Sequence, residues 1–114
     1  MNTRNAYDPD TIFQNLETAA EARADAEQTA YLLERNGEIM LAELQVKAKL
    51  AGNPIGLCKE IARADPAWKV HVEGESVAIR NRSKARAHYE NVKILAEARR
   101  SQEASMRVLT GRSV

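Results

Sequence analysis

A single cysteine, a single tryptophan and a single phenylalanine stand in this 114-residue chain, and aromatics of all kinds make up only 4% of it. One cysteine, Cys58, closes no disulfide within the chain, which fits a reducing compartment. With so few aromatics, a core must come from Leu, Ile, Val, Met and a large alanine content, a composition suited to helices packed closely through small side chains. No stretch approaches the roughly 18 consecutive apolar residues of a membrane span. The opening MNTRNAYDPD has no apolar run either, so the expectation is a soluble, cytoplasmic chain with no membrane partner. The length allows one domain at most.

Residues that carry catalytic or metal chemistry are equally scarce. His71 and His88 on one helix would stand about 25 Å apart and cannot share a metal. No HExxH and no Cys/His spacing of the zinc type occurs. Cys58 has only Lys59 and Glu60 as local helpers and reads as a small buried apolar residue. The glycines at 52, 56, 74 and 111 form no phosphate-cradling loop. These absences point away from an enzyme, and no catalytic residue, metal or cofactor is assigned.

What the chain does have is helical periodicity. Two Asp-Pro dipeptides, Asp8-Pro9 and Asp65-Pro66, read as helix starts: aspartate accepts from free amides, and proline at the first helical position surrenders no needed donor. After Pro9, steps of four and three residues select Ile12, Leu16, Ala19, Arg23, Ala26, Ala30, Leu33, Gly37, Met40, Leu44, Lys47 and Ala51, a seven-residue packing seam on one long helix. Small residues at Ala19, Ala26, Ala30 and Gly37 let a neighbouring helix approach closely. Asn36-Gly37 also suits a turn, but the seam keeps its phase across it and favours continuity.

Gly52, followed by Pro54, stops this helix. Leu57 to Ala64 can form a short helical turn within the elbow. A second long helix from Pro66 presents Trp68, Val72 and Ile79, then Tyr89, Val92, Leu95, Ala96, Met106 and Leu109. Alternation of Val70 with Val72 and of Val77 with Ile79 around Glu73-Gly74 leaves a small β-hairpin at 69–80 as the alternative there. The fold expected is all-α, a long antiparallel, coiled-coil-like helical hairpin. Its parts are a helix over about 9–51, an elbow at 52–65, a helix over about 66–109, and flexible ends at 1–7 and 110–114. A hairpin about 60 Å long leaves outer apolar positions such as Phe13, Tyr31, Leu41 and Ile94 uncovered, so it is expected to self-associate or bind another protein.

Charge is divided along the chain. Residues 1–65 hold 7 basic and 11 acidic side chains, and residues 66–114 hold 10 basic and 5 acidic. Folding at the elbow brings level those residues whose numbers sum to about 117. Glu34 and Glu38 then meet Arg80, Arg82 and Lys84, Glu27 approaches Lys93, and Glu17 meets Arg100. The same match serves two chains in an antiparallel dimer.

Two polar or aromatic features are candidate sites. Arg82, Arg86, Lys93, Arg100 and Arg107 form a basic series whose last four members recur every seven residues. That ridge, about 30 Å long, suits nucleic-acid phosphates, with Tyr89 placed to stack a base; pairing with the acidic arm or simple solvation is the other reading. Trp68, just after the helix start, is either a partner anchor or a cover for the end of its own hairpin.

The segment IARADPAWKVHVEGESVAIRNRSKARAHYENVKILAEARRSQEASMR, residues 61–107, contains an A-x-A-D-P helix start and a basic helix ending in Arg99-Arg100-Ser101 through Ala104-Ser105. With the acidic helix before it, it resembles a family of small helical proteins of tailed bacteriophages and prophages, often encoded near recombination or replication genes. The resemblance implies a viral accessory protein in the host cytoplasm, with another phage or host protein as partner, and carries over no catalytic residue. Three functions are expectations: helix-mediated protein binding in recombination, replication or host takeover; nucleic-acid binding by the basic ridge; and inhibition of a host defence or repair nuclease. For the last, Asp8, Asp10, Glu17, Glu21, Asp25 and Glu27 would mimic nucleic-acid charge.

Overall fold

The computed structural model describes residues 9–112. Asp8, the expected cap of the first helix, and the ends at 1–7 and 113–114 lie outside the described residues. The fold is all-α, a long helical hairpin of three helices: α1 (Pro9–Leu50), α2 (Ile55–Ala64) and α3 (Pro66–Arg112). The described residues divide into two units, 9–24 with 84–112, and 25–83.

Local chemistry explains the elbow. Gly52 adopts φ +93°, a left-handed conformation that glycine enters without steric cost. Its N–H donates to the carbonyl of Lys49 at 3.0 Å, and that of Asn53 to Ala48 at 3.3 Å, a Schellman closure of α1. Lys47 and Lys49 in the last turn complement the helix dipole. At the other end of the elbow, Oδ1 of Asp65 accepts from the Ala67 N–H at 2.8 Å, and Pro66 opens α3, as the Asp-Pro pair predicts. Between these stops the expected helical turn is the ten-residue α2, beginning at Ile55 rather than Leu57. Cys58 is buried on α2, its thiol donating to the Pro54 carbonyl at 3.3 Å, the structural role expected of it.

The β-hairpin alternative at 69–80 is wrong: these residues are helical within α3. The Asp65-Pro66 cap launches a helix through the valine alternation, and the side chains that turn inward follow a helical period. The helix also runs on to Arg112, past the expected stop at 109, so residues 110–112 are not a free end.

In the 25–83 unit, α1 and α3 pack antiparallel. Glu34 pairs with Arg82 at 3.8 Å and Lys47 approaches Asp65 at 3.9 Å. The first pair, one of those expected, sums to 116 and fits the expected register, while the second joins α1 to the elbow residue Asp65. The ten helical residues of the elbow span about 15 Å. In the other unit, Ile12, Phe13 and Leu16 of α1 border a groove with Ala96, Arg99, Arg100 and Glu103 of α3, and the Arg23 guanidinium sits 4.2 Å from the centre of the Tyr89 ring.

The α1 seam runs through the predicted positions from Ile12 to Leu44, all buried or half-buried. At the end it falls on Ala48, while Lys47 and Ala51 are exposed, a correction of one residue. A helix of 3.6 residues per turn drifts about 20° per heptad from a seven-residue repeat, which over five heptads amounts to one position. The α3 seam is more polar than expected. Trp68, His71, Glu75, Ala78 and Arg82 turn inward in one unit, and Ala85, Tyr89, Val92, Ala96, Arg99 and Glu103 in the other, while Val72, Ile79, Met106 and Leu109 stay exposed.

The resulting core is thin. Among the described residues the buried side chains are Ile12, Ala19, Ala30, Ala48, Cys58, Ala62 and Ala78, and no large side chain is fully buried. Seventeen large apolar residues are exposed instead. Fully burying a Leu or Ile stabilises by about 1.5–3 kcal/mol, so much of the stabilisation this sequence can provide is not realised within one chain.

Candidate protein-interaction surface

The 25–83 unit carries an open groove of about 600 Å³ between α1 and α3. Leu41, Trp68, Val72 and Ile79 supply its apolar surface, and Glu34, Glu38 and Glu75 its carboxylates. Gly37 is part of its lining and puts no side chain between the helices. Into that space goes His71, its side chain 7% exposed. Its ring stacks on Trp68 with centroids 5.6 Å apart and planes 20° from parallel. Nε2 of His71 stands 3.4 Å from Oε2 of Glu75, within ion-pair range, but the alignment makes no hydrogen bond and leaves Nε2 without a hydrogen-bond partner. Burying such a group costs about 1–3 kcal/mol.

Trp68 is half-buried at the start of α3. It stacks on His71, one turn along its own helix, and lines the groove with Leu41. On its other side it borders a second, shallower groove with Arg63, Lys69, Val72 and Glu73. An amphipathic helix offering apolar side chains flanked by Lys or Arg is the chemistry that matches the larger groove.

The basic series does not act as one unit. Arg82 turns into the seam, half-buried against Glu34, and leaves the ridge. Tyr89 is half-buried beneath the Arg23 guanidinium, which covers a ring face that a base would need. Arg86, Lys93, Arg100 and Arg107 are exposed along α3 at seven-residue spacing. Arg100 borders the groove with Ile12 and Phe13, and Arg107 one with Met106 and Arg99.

Residues that the sequence does not mark as part of the α3 seam include His71, Glu75, Arg99 and Glu103. Arg99 donates from Nη1 to Gln102 at 3.2 Å and places Nε 3.4 Å from Glu103. The signal that finds them is the alternation of three and four residues from Trp68 to Glu103, visible once polar residues are admitted to the count. Among the described residues, no group of three or more His, Cys, Asp or Glu side chains is disposed to hold a metal, and no helix is long and apolar enough to cross a membrane. No family model, no curated protein and no solved structure matches this chain.

Proposed function

We propose that this chain is a non-enzymatic interaction protein that works through exposed helix faces, associating with itself and occupying a surface on another phage or host protein. The setting is the one its sequence resemblance implies: phage recombination, replication or host takeover. The observation that carries this reading is the imbalance, among the described residues, between a core of one isoleucine, five alanines and a cysteine and seventeen exposed large apolar side chains. Where such side chains line up on one face, as Leu32, Ile39 and Val46 do on α1, the apolar surface suits an interaction site. The test is sedimentation of the full chain, alone and with extract of infected host cells. Self-association together with a stoichiometric bound protein supports the reading, and a strict monomer that binds nothing overturns it.

A second reading is nucleic-acid binding through Arg86, Lys93, Arg100 and Arg107, favoured by their exposure in a seven-residue array. Such binding would be electrostatic and nearly blind to sequence. A gel shift at low salt distinguishes the two readings.

A further inference from the structure

In the 25–83 unit α1 is apolar on two opposite faces, and α3 covers only one of them. The seam face carries Ala30, Leu33, Gly37, Leu44 and Ala48. About 160° around the helix from Gly37 stands Ile39, with Leu32 seven residues before it and Val46 seven residues after. Leu50 continues the line one turn further on. These four are 48%, 58%, 57% and 83% exposed for Leu32, Ile39, Val46 and Leu50 respectively, and Ala42 between them is exposed as well. Helices pair along stripes with an apolar residue about every 3.5 residues, and Ala42 and Leu50 fill the intervening positions after Ile39 and Val46.

The residues on this face identify the occupant. Counting outward from Ile39, Leu32 and Val46 lie seven residues away on either side, and Arg35 and Glu43 four residues away. Apolar answers apolar and cation answers anion at equal distance from one centre, the self-complementarity that a two-fold interface demands. A parallel partner would instead set Arg35 beside Arg35, Glu43 beside Glu43 and Lys49 beside Lys49, like charges that destabilise a helix pair.

We infer that the outer face of α1, from Leu32 to Val46, is a self-association surface on which a second copy of this chain packs antiparallel about Ile39. Leu32 lies level with the partner subunit's Val46, Ile39 against the partner subunit's Ile39, and Arg35 level with the partner subunit's Glu43. The inference rests on the self-association proposed above and specifies its surface and direction. It leaves the groove beside Trp68 open for a different protein.

Disulfide trapping in the full chain tests it, with Cys58→Ser removing the native thiol. Antiparallel packing predicts that Ile39→Cys forms a crosslinked dimer under mild oxidation. Leu32→Cys and Val46→Cys should each fail alone and crosslink when mixed, because a disulfide needs Cα atoms about 4.4–6.8 Å apart. Crosslinking of all three single variants with themselves means parallel packing and overturns the inference. Sedimentation of Ile39→Glu separates the two levels of the proposal. Loss of the dimer with helicity retained supports this surface, whereas an unchanged dimer overturns it and leaves self-association through some other face standing. A monomeric parent chain overturns both.

Discussion

A Cβ added at Gly37 would lie 2.6 Å from Nε2 of His71, closer than Cβ atoms come to their neighbours in folded proteins. His71 has little room to retreat, since its ring is stacked on Trp68 and nearly shut off from solvent. The glycine is therefore a packing requirement, and its helix-weakening tendency is tolerated to admit the histidine.

Gly37→Ala should lower stability. Alanine gains up to about 1 kcal/mol of helix propensity, while overpacking costs about 1–3 kcal/mol, so the net loss is about 1 kcal/mol. In a His71→Ala background the sign should reverse, because only the propensity gain remains. A double-mutant cycle by urea unfolding reads the coupling directly, and additive effects would mean that the two residues do not press on each other.

Gly74→Ala is the contrasting case. Gly74 lies in mid-helix and nothing stands within 4 Å of an added Cβ, so the substitution should stabilise by about 0.5–1 kcal/mol and raise the thermal midpoint. Destabilisation would mean that residues 69–80 are not helical in solution.

Gly52→Ala should destabilise by about 1–2 kcal/mol even though its surroundings are equally open, since an L side chain is strained at φ +93°. Replacement by asparagine, which tolerates this region better, should recover part of the loss in the same unfolding measurement.

These three glycines show how much of the molecule can be read from the sequence. Gly52 and the Asp65-Pro66 start are local chemistry, decided within a few residues, and the sequence announces both. The α1 seam is equally plain because alanine and leucine mark it, and it errs only where the 3.6-residue helix outruns a seven-residue count at Ala48. The α3 seam hides because His71, Glu75, Arg82, Arg99 and Glu103 occupy it, their stems packing while their heads reach for partners. A search for apolar residues finds Val72 and Ile79 instead, one position away from the true line. Gly74 and the valine alternation mimic strands for the same reason. The candidate site is half legible: Trp68 stands out by its rarity, whereas its partner His71 is visible only through what Gly37 makes room for.

Tyr89 and Arg23 should be coupled by about 0.5–1 kcal/mol through their cation–π contact. Tyr89→Leu and Arg23→Met, alone and together, measure it in a thermal-unfolding cycle. No coupling would return Tyr89 to the pool of residues free to stack on a base.

If α3 binds nucleic acid through its exposed ridge, replacing Arg86, Lys93 and Arg100 with Gln should abolish the gel shift. Four phosphate contacts would also give the parent chain a slope of log affinity against log salt of roughly −3 to −4. The protein-interaction account expects no shift at low salt and no change on substitution.

The central claim, that this thin hairpin is completed by contacts between helices of different chains, is tested most directly by sedimentation equilibrium of the full chain across micromolar concentrations at near-physiological salt. The account predicts a mass of at least twice the 12.7 kDa of one chain, little affected by added salt because the contacts are apolar. A mass of one chain at every concentration would contradict it.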